Sequence, residues 1–343
     1  THTPEESGSM KTNIILLDKM GYFSEIPLTE VNSISKIDNN ELDHTLTLLN
    51  FSRKTNAVSN IHLNTLRRLW KNENVLKNVI NITNAQNFKY WHDSELYAAL
   101  SKKDDIWLNT CKVESKKALF EIVADQCGEL FDTNICTIVF AKRFAGYKRL
   151  DLFFHDMEKF DALVTNIKMP IQIIWAGKPY PMDYDAIGIF NKIVDLCKNY
   201  KNCAVLVGYE LKLSKILKGG ADIWLNVPRI NHEASGTSGM SAAMNGAVNV
   251  STLDGWFPEF ANDKLNSFSL PYTDTTLQNH VQDDIDASNL YQLLKNEILP
   301  IYYDYPERWT SIIKQSMKDI IPKFDSDRLA KEYYERLYEN SNL

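Results

Sequence analysis

Two segments of this chain carry side chains suited to holding anions and polar hydroxyl-bearing ligands. In Lys142-Arg143-Phe144-Ala145-Gly146-Tyr147-Lys148-Arg149, four cations fall within eight residues. Arg143 and Lys148 are five apart, so a loop turning into a helix can aim both at one anion. A guanidinium offers a planar fork and an ammonium a compact charge, a pairing suited to phosphate. Spacing alone also fits a solvated basic patch. Gly177-Lys178 is a second, weaker phosphate candidate. The other segment runs His232-Glu233-Ala234-Ser235-Gly236-Thr237-Ser238-Gly239-Met240-Ser241 and on to Asn245-Gly246. Its small residues and glycines let backbone N–H groups approach a phosphate closely. Glu233 sits where a carboxylate can accept hydrogen bonds from sugar hydroxyls. A small-residue loop that merely packs tightly would have the same composition.

These segments need a scaffold, and the surrounding pattern supplies one. Ile135–Phe140, Met169–Ala176, Cys203–Val207, Ala221–Leu225 and Ala247–Val250 are short apolar runs, most of them rich in β-branched residues, typical of strands covered on both faces. Helical stretches such as 150–167 and 184–200 separate them, so the expected class is α/β with a doubly wound parallel sheet. Ligands of such sheets bind beyond the carboxyl ends of the strands. The run Lys142-Arg143 directly follows the first strand. Residues 10–80 and 92–130 read as mostly helical cover. The stretch 286–343 reads as two or three amphipathic helices, with Tyr291, Leu294, Ile298, Trp309, Ile312 and Tyr334 as expected buried anchors.

Composition narrows the function classes. The 343 residues hold 38 Lys+Arg against 44 Asp+Glu, a formal net charge of −6. With no Lys/Arg block beyond the one above, nucleic acid is not an expected partner, since such binding rests on phosphate neutralisation. No apolar run reaches the roughly 20 residues that span a bilayer. Five cysteines without a CxxC spacing suit thiols in a reducing cytoplasm better than a disulfide framework.

Glu233–Met240, Asn245-Gly246 and Leu253-Asp254-Gly255-Trp256 resemble the signature of the glycogen/α-glucan phosphorylase family, especially its short bacterial and archaeal branch. Ala141–Arg149, Ile174–Lys178 and Ala221–Asn226 share the resemblance. So do Ser52–His62, Ile82-Thr83-Asn84, the opening Thr1-His2-Thr3-Pro4, and a tail through Phe324, Arg328 and Tyr333. The resemblance implies the GT-B architecture of two Rossmann-like domains, with one complete here: 1–81 ending the first domain, 82–325 forming the second, and 326–343 a C-terminal helix. It implies a chain that is a fragment or half of a split enzyme, with a partner chain supplying the rest of the first domain.

The implied reaction is retaining phosphorolysis of an α-1,4-glucan to glucose-1-phosphate, with pyridoxal phosphate held as a Schiff base and working through its phosphate group. Arg143 and Lys148 would bind the substrate phosphate. Lys142, Tyr209, Thr237 and Ser238 would surround the cofactor phosphate, or a donor phosphate. Glu233, Ser235 and Gly236 would hold the hexose, with His62 and Asn84 completing its pocket. One departure bears on mechanism: the family's Schiff-base lysine position is occupied by Ser241. A hydroxyl cannot form an imine, so covalent attachment at that position is excluded. Ala57 and Ala85 also stand at family glycines, where a Cβ could obstruct a positive φ. The expectation is a degenerate form without PLP-dependent phosphorolysis. The alternatives are a PLP-independent GT-B glycosyltransferase using a nucleotide sugar, with Arg143 and Lys148 on the donor's sugar diphosphate, and a non-catalytic glucan- or sugar-binding subunit. In the transferase reading, the Glu-x7-Glu pattern starting at Glu233 ends on Ser241.

Overall fold

A computed structural model describes residues 10–35, 40–70 and 78–339, so Thr1-His2-Thr3-Pro4 lies outside the described residues. Four strands of three residues each come first. β1 (Lys11–Asn13) pairs antiparallel with β2 (Glu41–Asp43), and β3 (Thr55–Ala57) pairs parallel with β4 (Val79–Asn81). Short helices lie between them, among them His44–Phe51 and Asn60–Leu69.

The main sheet holds β5 (Cys136–Ala141), β6 (Ile171–Ala176), β7 (Cys203–Leu206), β8 (Ile223–Asn226), β9 (Val248–Ser251) and β10 (Ser267–Ser269). The order is β10-β9-β8-β5-β6-β7, and every pair is parallel. The chain therefore builds outward from β5 to β7, then returns to the other side of β5 for β8 and continues to β10. This reversal places a crevice at the carboxyl ends of β5 and β8, where ligands of such sheets bind.

Every residue of β5, β6, β8 and β9 is buried, which requires cover on both faces. The period-2 alternation of strands sorts their side chains into two cores. Ile138, Phe140, Ile173, Trp175, Ile223 and Leu225 pack with the C-terminal helices, while Val139, Ala141, Ile174, Ala176 and Trp224 pack with Leu119 and Val123 of helix Asp105–Cys127. The expected 92–130 helix is broken at Lys103, which takes a left-handed φ of 58° and lets Asp104 cap the next helix. Of the expected tail anchors, Tyr291, Leu294, Ile298, Trp309 and Ile312 are buried, but Tyr334 is 63% exposed. It lies beyond Phe324, the last buried residue of the preceding helix, in a terminal segment that buries no side chain.

Buried ion pairs fix the edges of this core. Lys116 of helix Asp105–Cys127 meets Asp222 at 2.7 Å, with both side chains buried. Asp222 also accepts from the Thr137 amide at 2.8 Å and the Tyr302 hydroxyl at 3.1 Å, which ties the starts of β5 and β8 to the tail helices. Truncating one partner of such a pair strands the other's charge. Asp222→Ala should therefore cost about 3–5 kcal/mol in urea unfolding. A loss below about 1 kcal/mol would show that this junction is not what holds the strands in register.

Candidate active site

β5 ends at Ala141, and the next residue, Lys142, is buried in the crevice at the sheet's reversal point. Its ammonium donates to Asn226 Oδ1 at the end of β8. Burial, then repulsion from Lys148, holds the Lys142 ammonium well below its usual pKa. Gly177, just past β6, makes this placement possible. It has a φ of 149°, and a Cβ there would sit 2.0 Å from the Lys142 carbonyl oxygen.

A cavity of about 400 Å³ opens over these residues. Lys142, Arg143 and Lys148 line one side, and Glu233, Ser235, Gly236, Thr237 and Ser238 line another. Tyr209 and Asn84 also line it, so ten of the residues singled out from sequence meet at one hollow. Val58 and Tyr147 line it too and were not foreseen. Tyr147 is marked only by its place beside Lys148, whose ammonium lies 4.9 Å from its ring centre. Nothing in the local sequence distinguishes Val58.

The two expected segments meet through one contact, the Lys148–Glu233 ion pair, whose side chains are only 12% and 16% exposed. Burial alone would lower the Lys148 pKa, but the Glu233 carboxylate and the Tyr147 hydroxyl raise it above its usual value. Arg143 is exposed at the rim and makes no hydrogen bond or ion pair among the described residues. Arg149 serves the fold instead. It is buried against Asp283 at 3.0 Å and Asp286 at 2.8 Å and donates to the carbonyls of Val227 and Pro228. Lys178, offered above as a second phosphate group, is exposed and does not line the cavity.

The Glu233 loop is held from beneath. Asp254 Oδ2 accepts from the amides of His232 at 3.1 Å and Glu233 at 2.8 Å. Gly255, at φ 58°, lets the chain pass so close that a Cβ would lie 2.4 Å from the Ser235 carbonyl oxygen. The early segment is tied to the same loop: Ser59 Oγ donates to the Ala234 carbonyl at 2.6 Å, and Glu259 accepts from the Asn60 amide and the Thr83 hydroxyl. These bonds carry Val58 and Asn84 to the cavity wall. His62 is fully buried and lies behind that wall. Its Nδ1 accepts from the Val58 amide at 3.2 Å, so it does not line the cavity.

Ser241 lies within the helix Ser238–Ala243, fully buried, and its Oγ donates to the Ser238 carbonyl at 3.2 Å. Neither Ala57 nor Ala85 has a positive φ, so a methyl group at either position costs no backbone strain. The cavity suits the phosphate end of a pyridoxal-phosphate-type cofactor. Cations and hydroxyls converge there, and the buried Ser235 Oγ has no hydrogen-bond partner. Position 241 carries a hydroxyl rather than an amine and does not line the cavity. Among the described residues no His/Cys/Asp/Glu group is arranged to hold a metal ion, and no helix is long and apolar enough to cross a membrane.

Residues 19–296 match the carbohydrate phosphorylase family. An uncharacterized protein of Methanocaldococcus jannaschii is 41% identical over 340 residues, covering 98% of this chain and 63% of that one. A maltodextrin phosphorylase of Thermococcus litoralis is 31% identical over 388 residues, covering 98% of this chain and 46% of its own length. A glycogen phosphorylase of Aquifex aeolicus is 30% identical over 345 residues, covering 86% and 49%. The chain thus spans about half to two thirds of the length of these relatives.

The support beneath Glu233 can be tested by pH. Burial, more than any other effect, pushes Asp254 up to about 7, although backbone amides pull the other way. The folded chain then keeps a proton that the unfolded carboxyl releases near pH 4, so stability should fall as pH rises from about 4 to about 7. This one group contributes a slope of at most about 1.4 kcal/mol per pH unit. Asp254→Asn keeps an oxygen for both amides and should flatten that slope in urea titrations across the window. An unchanged slope would mean that Asp254 is already ionised in the folded chain.

Proposed function

This chain belongs to the carbohydrate phosphorylase family, and from that premise we propose that its cavity binds phosphate beside the terminal hexosyl unit of an α-1,4-glucan, for hexosyl transfer between the two. The observation that supports the reading is the Lys148–Glu233 pair, in which a cation suited to an anion and a carboxylate suited to hydroxyls meet, largely buried, beside one hollow. Arg143, uncommitted at the rim, meets the incoming phosphate, and Lys148 turns from Glu233 to share it. Preorganised cations of this kind stabilise charge as it develops on a transferring oxygen. Glu233, once released, accepts hexose hydroxyls together with Ser235, Gly236 and Asn84. His62 acts from behind by fixing the Val58 backbone.

Lys142, Tyr209, Thr237 and Ser238 form the remaining polar wall and would hold the phosphate of pyridoxal phosphate. When bound, that cofactor supplies chemistry through its phosphate group rather than its aldehyde. The form proposed here has no covalent link at position 241, because Ser241 carries no amine. It therefore lacks the family's ordinary cofactor attachment. The glucan, the phosphate and any partner chain that completes the cleft belong to this proposal.

Two variants test it by calorimetry. Arg143→Ala should weaken inorganic phosphate binding roughly tenfold or more, the loss expected of a charge-assisted contact. Glu233→Gln should weaken maltodextrin binding by a similar factor while phosphate affinity holds or rises, because Lys148 loses its competitor. Phosphate affinity unchanged in Arg143→Ala would reduce the cations to a solvated face and sink the reading.

A further inference from the structure

A second hollow, of about 710 Å³, lies at the β10 edge of the sheet and shares no lining residue with the cavity described above. Its floor is apolar, with Leu270 and Leu293 buried in it. One wall carries the side-chain amides of Asn289, Gln292 and Asn296. Asn289 and Gln292 sit three residues apart, on one face of helix Asn279–Leu293. Asn296 follows in the π-turn Leu294–Ile298, a wide turn of the kind found frequently at functional sites. Among the described residues none of these three amides has a hydrogen-bond partner. Tyr272 stands at the rim, 64% exposed, and meets no other ring and no hydrogen-bond partner among the described residues.

These unused groups narrow the ligand class. Each amide offers both a donor and an acceptor, which suits a hydroxyl that can donate to one and accept from the next. The Tyr272 ring and the leucine floor suit an apolar face on the same ligand. Charge excludes an anionic ligand. Among the described residues lining the hollow, Lys264 is the one cation, and it is paired with Glu297 at 2.6 Å. A phosphate or carboxylate would find no free counter-charge there. The fitting ligand is neutral, with hydroxyls around its edge and C–H groups on its faces, which is the surface of a hexose ring.

One short segment links this hollow to the active site. Leu253 and Pro258 line the hollow. Between them in sequence, Asp254 accepts from the His232 and Glu233 amides, and Glu259, next to Pro258, accepts from the Asn60 amide and the Thr83 hydroxyl.

We propose that this hollow is a second glucan-binding site, which holds hexosyl units by their C–H faces on Tyr272 and by their hydroxyls on Asn289, Gln292 and Asn296. The inference rests on the reading of the chain as one that acts on an α-1,4-glucan. A polymer held at the β10 edge keeps its other hexosyl units at raised local concentration beside the active-site cavity, so the site favours long glucans over short ones.

The test is native electrophoresis of the full chain through gels containing soluble amylose, with retardation read as an apparent Kd. Tyr272→Ala should weaken amylose binding roughly fivefold or more, the scale of a lost aromatic contact. Tyr272→Phe, which keeps the ring, should bind as the parent does, and Gln292→Ala should weaken binding in the same direction. All three side chains are exposed, so melting temperature and affinity for inorganic phosphate should hold. Amylose retardation unchanged in both Tyr272→Ala and Gln292→Ala overturns the proposal. If that happens while Glu233→Gln still weakens maltodextrin binding, this inference fails and the reading of the cavity stands. If none of the three variants alters glucan binding, both fall.

Discussion

The ion pair between Lys148 and Glu233 is the contact on which the arrangement of the cavity depends. It joins the loop after β5 to the loop after β8, and each loop is shaped to deliver its partner. Gly177 lets the β6 turn crowd the Lys142 carbonyl, Arg149 pins the β5 loop into an acidic pocket, and Asp254 holds the amides under Glu233. Two charges at that depth are costly apart and acceptable together. A ligand that separates them must satisfy both. On the reading proposed above, phosphate on the lysine side and hydroxyls on the carboxylate side would do so.

Several buried charges in this fold meet protein groups, and the partners differ by position. Lys116 and Arg149 meet carboxylates, and their role is to lock strands to helices. Lys112 gathers three carbonyls that end helix Leu211–Gly220, lead into β8 and close the turn before β9. Lys142 has a side-chain amide and a cavity. Lys218 has, among the described residues, only indole rings beside its ammonium. The graded set separates structural lysines from those available to a ligand by what satisfies each ammonium.

Much of this was legible in the sequence. Five of the six sheet strands stand out because full burial demands continuous apolar runs. β10 escapes because Ser267-Phe268-Ser269 is a three-residue edge strand with a single apolar side chain. The strands before residue 82 escape for the same reason, each being three residues long. Eight of the cavity residues were legible because their cations and small residues fall in two contiguous segments, whereas Tyr209 and Asn84 came only from the family resemblance. What pattern could not supply was sorting by tertiary contact. Arg149 looks like Arg143 until Asp283 and Asp286 arrive from a helix more than a hundred residues later, and His62 stands behind Val58 rather than on the wall. Lys218 reads as an ordinary helix lysine until Trp91 closes over it.

The central claim is tested most directly by a crystal structure of the chain grown with inorganic phosphate and maltose. The account predicts phosphate bonded to Arg143 and Lys148 near the Gly236–Ser238 backbone, with Glu233 turned from Lys148 to sugar hydroxyls. Phosphate and maltose bound elsewhere, with the Lys148–Glu233 pair intact and the cavity holding neither, would contradict it.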